Sequence, residues 1–257
     1  MEMTSYEPGV PSWVDLGSPD VEGAAAFYTA LFGWEIPPGP EEAGGYRIAT
    51  IGDKRVAGLG PAMNPGPPTW TTYVNTASAD DTAAAVTANG GQVFVPPMDV
   101  MDVGRMAVFA DPVGAAFSAW QPKEHLGAQL VDEPGTWSWS ELLTTDIPAS
   151  KAFYGAVFGW GSETHGDGAG AYTEWKVSGR SIGGMMEKPP MLPAEVPPFW
   201  AVYFSVADTD AAVARVAELG GSTLMPPMDI EPGRFATVAD PTGATFNVIT
   251  LKPDLAR

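Results

Sequence analysis

The strongest constraint on this chain is that it repeats itself. Trp13, Leu16, Asp20, Phe27, Tyr28, Phe32, Gly33 and Trp34 recur 126 positions on as Trp139, Leu142, Asp146, Phe153, Tyr154, Phe158, Gly159 and Trp160. Further along, PPMD at 96 to 99 returns at 226 to 229, and GRMAVFADPVGAAF at 104 to 117 returns as GRFATVADPTGATF at 233 to 246. Self-similarity over the whole of a 257-residue chain implies two copies of one structural unit. We therefore expect one domain over 1–121, a second over 137–257, and between them a linker at 122–136 rich in charged residues, Gly and Pro.

Hydrophobic periodicity predicts the same order of elements in each half. SWVDL alternates as a strand does. From Asp20, VEGAAAFYTALFGW places Phe27, Leu31 and Phe32 at helical spacing and stops at Gly33. GYRIATI, KRVAGLG and TWTTYVN then read as strands, DDTAAAVTANGG as a helix with an acidic start and a Gly stop, and QVFVP, RMAVFA and AAFSAW as strands again. Each half thus holds two βαβββ units, and the fold class is α+β.

Charge and composition exclude several roles. With 31 acidic against 13 basic side chains, the net charge of -18 repels nucleic acid and anionic membranes and favours cationic guests. The first residues lack the basic and apolar parts of a signal peptide, so a cytoplasmic location is expected. The absence of cysteine removes disulfides, thiolate nucleophiles and sulfur-ligated metals together.

The AFYxxxFGW helix, the VADTDAAVARVAELGG helix and the DPxGAxF strand entry, present in both halves, resemble the vicinal oxygen chelate superfamily, which includes glyoxalase I, extradiol dioxygenases and the bleomycin and fosfomycin resistance proteins. The tandem actinobacterial branch, with its mycobacterial culture-filtrate antigens and accessory proteins of antibiotic pathways, is the most similar. The resemblance implies paired βαβββ units curled into a half-barrel with a ligand cavity inside. In enzymatic members, His and Glu on the inner face hold a divalent metal. Here the corresponding positions fall at Trp13, Gly58, Thr71 and Ser118 in the first half and at Trp139, Gly184, Ala201 and Asn247 in the second. Those side chains cannot serve as a ligand set, because imidazole and carboxylate donors hold Zn, Ni or Fe. No cofactor or metal is expected. The two histidines, His125 in the linker and His165 in a Gly-rich loop, lie elsewhere.

What remains on the inner faces is aromatic. Strand parity turns Trp13 and Trp139, Tyr73 and Tyr203, Trp120, Ser118 and Asn247 inward, and these are the candidate ligand-binding residues. Met63, Met98, Met101, Met106, Met185, Met186, Met191, Met225 and Met228 are expected at strand ends and mouths. Asp15 and Glu141 lie two residues past the indoles on the same face, and are the candidate acid–base groups unless Arg105 and Arg234 pair with them. Asp111 and Asp240 read as turn residues, and Asp99 and Asp229 as loop caps.

The reading that follows is a metal-free binding protein for a planar hydrophobic, aromatic or cationic, antibiotic-like metabolite. Its role would be sequestration, resistance or help to a biosynthetic enzyme. The alternatives are a metal-independent lyase, isomerase or hydroxylase using Asp15 or Glu141 with a tyrosine, or a glyoxalase-like lyase. Tandem fusion suits a monomer or weak homodimer, because it supplies within one chain the pairing that single-domain relatives make between chains.

Overall fold

The computed structural model describes residues 1–62 and 66–252. The first half runs β1 (Pro11–Ser18), α1 (Val21–Phe32), β2 (Arg47–Ile51), β3 (Lys54–Pro61), β4 (Thr69–Asn75), α2 (Ala79–Ala88), β5 (Gln92–Val100), β6 (Gly104–Ala110) and β7 (Ala116–Pro122). The second runs β8 (Trp137–Thr144), α3 (Ile147–Phe158), β9 (Gly161–His165), β10 (Tyr172–Val177), β11 (Arg180–Glu187), β12 (Phe199–Ser205), α4 (Thr209–Glu218), β13 (Ser222–Ile230), β14 (Gly233–Ala239) and β15 (Thr245–Leu251). The α+β class and the tandem half-barrel domains are those expected.

Local chemistry explains the element ends. Asp20 and Asp146 cap α1 and α3 by accepting from the backbone N–H of Gly23 and Ala149, and Gly33 and Gly159 end them in the left-handed conformation. Each half forms its own sheet, ordered β2-β3-β1-β4-β7-β6-β5 and β13-β14-β15-β12-β8-β11-β10-β9. The two units of a half join where their first strands meet antiparallel, β1 on β4 and β8 on β12.

The halves differ at one edge. The second sheet ends in β9, whereas the matching stretch of the first half makes only an isolated Glu35–Thr50 bridge. Pro37, Pro38 and Pro40 lie there, and proline cannot donate to a ladder.

The outer faces of the two sheets and the helices between them share their cores. One cluster joins Phe27, Tyr28, Trp34 and Trp70 to Phe204 and Phe246; the other joins Phe109 and Phe117 to Phe153, Tyr154, Trp160 and Trp200. The hydrogen bonds are reciprocal too. Tyr28 donates to Asp240 Oδ2 at 3.3 Å and accepts from Trp70 Nε1, while Tyr154 donates to Asp111 Oδ2 at 3.2 Å and accepts from Trp200 Nε1. Trp34 Nε1 donates to the Gly135 carbonyl and Trp160 Nε1 to that of Gly9, each at 2.6 Å. Asp111 and Asp240 are turn residues as expected, their Oδ1 atoms accepting from the following backbone N–H groups, but each also holds the other half's tyrosine.

The segment between β7 and β8 is not a free tether. Its Ala128 N–H donates to Ser12 O and its Gln129 N–H to Arg55 O, and His125, Gly127 and Ala128 are buried. Among the described residues no helix is long and apolar enough to cross a membrane.

Candidate functional site

On the inner face of each half-barrel lies the same four-residue cluster. In the first half, Trp13 Nε1 donates to the Tyr46 hydroxyl at 3.0 Å. Tyr46 in turn donates to Asp15 Oδ2 at 3.1 Å, and Tyr73 donates to that same oxygen at 2.8 Å. In the second, Trp139 Nε1 donates to the Tyr172 hydroxyl at 2.9 Å, and the hydroxyls of Tyr172 and Tyr203 both donate to Glu141, the latter at 3.1 Å. Strand pairing sets this up: Trp13 lies opposite Tyr73 and Trp139 opposite Tyr203, so indole, carboxylate and one phenol share a face by register alone.

The second phenol in each cluster, Tyr46 or Tyr172, is absent from the candidates named by strand parity. Tyr46 precedes β2 and Tyr172 opens β10, and both reach over a neighbouring strand. The signal was there: Tyr46 and Tyr172 stand 126 positions apart, the offset of Trp13 and Trp139.

Gly58 and Gly184 make room for these phenols. A Cβ at either would overlap the hydroxyl of Tyr46 or Tyr172. Asp15 pairs across the sheet with Gly58, and Glu141 with Gly184. A phenol hydroxyl therefore occupies the space beside the carboxylate into which a glutamate at Gly58 or Gly184 would project. With an indole at position 13 or 139 and only one carboxylate per cluster, already taken by two phenols, these residues do not fit a transition metal.

Burial pushes the Asp15 carboxyl up to about 6, against the pull of its two phenol donors, and raises Glu141 for the same reason. The phenols of Tyr46, Tyr73 and Tyr203 are pushed well above their usual range by burial and the adjacent carboxylate, so they act as donors and not as bases. Arg105 and Arg234 are not partners of these carboxylates. Arg105 pairs with Asp80 of α2 and Asp99 of β5, and Arg234 with Asp210 of α4 and Asp229 of β13. Asp99 and Asp229 accordingly lie within β5 and β13 as ion-pair partners, where loop caps were expected.

The two inner faces differ in what covers them. In the first, Trp13, Tyr73, Ser118 and Trp120 are all buried, and the His125 ring lies against both indoles, with centroids 4.4 Å from Trp13 and 5.6 Å from Trp120. Trp120 Nε1 donates to the His125 carbonyl at 2.7 Å. In the second half Ile249 replaces Trp120. Trp139 is half-buried beside Met186, Phe199 and Met225, packed on a small apolar cluster of Leu143, Ala201, Tyr203, Phe235 and Ile249. Asn247 is buried, and its side-chain oxygen accepts from Thr237 at 2.6 Å.

Of the methionines, Met185 is core, Met106 is half-buried against the first cluster, and Met98, Met101, Met191 and Met228 are exposed. Met63 lies outside the described residues.

At the far edge of the second inner face, Glu163, His165 and Glu174 converge, with one ligand atom from each within 4.8 Å of the others. Lys176 already bridges both carboxylates, so this cluster holds its own cation. His165 ends β9, in place of the loop expected for it.

A model of the Glyoxalase/Bleomycin resistance protein/Dioxygenase superfamily matches residues 11–118 and 136–248. The CFP32 protein of Mycobacterium tuberculosis, named as a glyoxylase, is 42% identical over 259 residues, covering 97% of this chain and 98% of its own. The anthracycline biosynthesis protein DnrV of Streptomyces peucetius is 40% identical over 269 residues, covering 97% and 96%. Among solved structures, the Mn(II)-bound glyoxalase of Novosphingobium aromaticivorans superposes with a TM-score of 0.65 at 17% identity, covering 97% of this chain and 86% of that one. The 2,3-dioxygenase LapB of Pseudomonas sp. KL28 does so with 0.65 at 14%, covering 97% and 96%. At such identities these structures support the fold alone.

Proposed function

This chain belongs to the Glyoxalase/Bleomycin resistance protein/Dioxygenase superfamily, and from that premise we propose that it binds a small planar apolar molecule without a metal, using the inner face of its second half-barrel. The observation that carries the proposal is the duplicated glycine-for-phenol exchange. A Tyr46 or Tyr172 hydroxyl fills the space beside the carboxylate, and Gly58 and Gly184 admit it. A chelate centre has been replaced by hydrogen-bonded aromatic side chains. On the second face Trp139 and Met186 keep part of their surface open, and an indole with a thioether suits a flat apolar guest.

Similarity to a protein named for anthracycline biosynthesis supports an accessory role in a pathway that handles such a compound. The Glu141 carboxylate, whose pKa burial raises, favours one further reading, a metal-independent catalyst in which Glu141 moves a proton while Tyr172 and Tyr203 hold its charge.

Two measurements test the binding reading. Elemental analysis of freshly purified protein should find far less than one Zn, Ni, Fe or Mn per half. Titration with a panel of planar polycyclic aromatics should quench indole fluorescence saturably at one site, and Trp139→Ala should weaken that binding by roughly tenfold or more. A stoichiometric transition metal, or no saturable quenching by any member of the panel, would defeat it. Turnover lost in Glu141→Gln with binding retained would establish the catalytic reading instead.

A further inference from the structure

We propose that the first half-barrel is a binding site for a neutral azole ring, which the chain keeps filled with its own His125. His125 belongs to the connecting segment and to no repeated element. Yet its imidazole lies edge-to-face against Trp13 and Trp120, the two indoles that wall the first inner face. Arg55 Nη1 lies 3.2 Å from Nδ1. A guanidinium only donates, so Nδ1 presents its lone pair and Nε2 carries the proton. Nε2 is buried with no hydrogen-bond partner. The ring is therefore held as a ligand would be, by two aromatic walls and one directed hydrogen bond. The adjoining guanidinium disfavours an imidazolium in that place.

The backbone around His125 is built to deliver the ring. Lys123 and His125 both donate from their N–H groups to Val103 O, and Ala128 donates to Ser12 O at 2.8 Å. The Ala128 carbonyl accepts from Tyr6, and the Gln129 side-chain oxygen from the Arg55 N–H. Gly127 has φ +117°, and a Cβ there would overlap the Ser12 carbonyl, so only glycine lets the strap pass this close over β1. Beside the strap lies a cleft of about 230 Å³, lined by Tyr6, Lys54, Arg55, Gly127 and Gln129 among others. A small azole could enter there.

The consequence is an asymmetry of stoichiometry. In the wild-type chain the His125 ring fills the place beside Trp13 and Trp120, and His125→Ala should empty it. The probe is imidazole, with 4-methylimidazole as the closer mimic of the lost side chain, read by thermal melting and indole fluorescence. His125→Ala should melt below the wild type. Either azole should raise its midpoint saturably, at least about tenfold more tightly than any effect on the wild type. His125→Phe, which fills the space with a ring, should show no azole response. Should His125→Ala fail to accumulate folded, refolding it with and without 4-methylimidazole gives the same reading, with recovery only in its presence.

The proposal falls if His125→Ala melts with the wild type. It falls equally if the azoles stabilise wild type and variant alike, or if they neither stabilise nor rescue the variant. None of these results bears on the second half-barrel, so binding there stands or fails separately.

Discussion

At the residue scale the informative group is Asp15, a carboxylate placed beside an indole and held by two phenols. Its folded pKa of about 6 lies above the value of 3.8 for a free aspartate, so folding favours its protonated form. The sign follows: the contribution to stability is complete below pH 4 and is lost as pH rises through 6. The shift corresponds to about 3 kcal/mol, a large share of a domain's stability. Asp15→Asn keeps an oxygen for Tyr46 and Tyr73 but cannot ionise. Denaturant melts at pH 4 and pH 8 should therefore show the variant gaining about 2 to 3 kcal/mol on the wild type between the two. A difference that stays constant across that range would show that the carboxylate is not the strained group. Register made the nearness of Asp15, Trp13 and Tyr73 legible in the sequence, because alternate residues of paired strands share a face. Tyr46 was not legible that way. It acts from the turn before β2, and only the glycine opposite Asp15 opens the space for its hydroxyl.

At the element scale, repeated strands have taken different duties. β1 and β8 carry their tryptophans at matching positions, which led us to expect Trp13 and Trp139 to behave alike as cavity walls. Trp13 is instead sealed by His125 and Trp120, at 3% exposure, while Trp139 is half-buried. Trp13→Ala should thus resemble Trp34→Ala and Trp160→Ala, each costing about 3 to 5 kcal/mol. Trp139→Ala should cost clearly less and act mainly on ligand affinity. Thermal and denaturant melts of the four variants decide this, and equal losses in Trp13→Ala and Trp139→Ala would deny the asymmetry. The edge strands diverge for a reason visible in composition. The three prolines of PPGP deny the first sheet its eighth strand, whereas GSETH, free of proline, forms β9.

At the scale of the whole molecule, the halves are not beads on a string. Each has its own sheet, but the two cores are mixed, and the tyrosines of α1 and α3 reach across to Asp240 and Asp111. Such sharing predicts one cooperative unfolding transition for the full chain, with coincident near- and far-ultraviolet signals. Expressed alone, 1–121 and 137–257 should lack fixed tertiary structure, since each would expose the apolar surface the other covers. Mixed during refolding, they should regain it. Two resolved transitions, or a half that folds by itself, would contradict this.

The sequence alone determined the duplication, the alternation of strand, helix and further strands in each half, the α+β class and the inward direction of Trp13, Trp139, Tyr73 and Tyr203. Each of these follows from a short-range period or from self-similarity, and neither requires knowing what lies across the molecule. Tertiary structure decided the rest. It placed Tyr46 and Tyr172 over Gly58 and Gly184, turned the connecting segment into a strap that fills the first half-barrel, and directed Arg105 and Arg234 to Asp80 and Asp210 in the first turns of α2 and α4 instead of the inner carboxylates. Those pairings join residues distant in sequence. Such contacts depend on where strands cross and how much room a glycine leaves, and no periodicity along the chain records either.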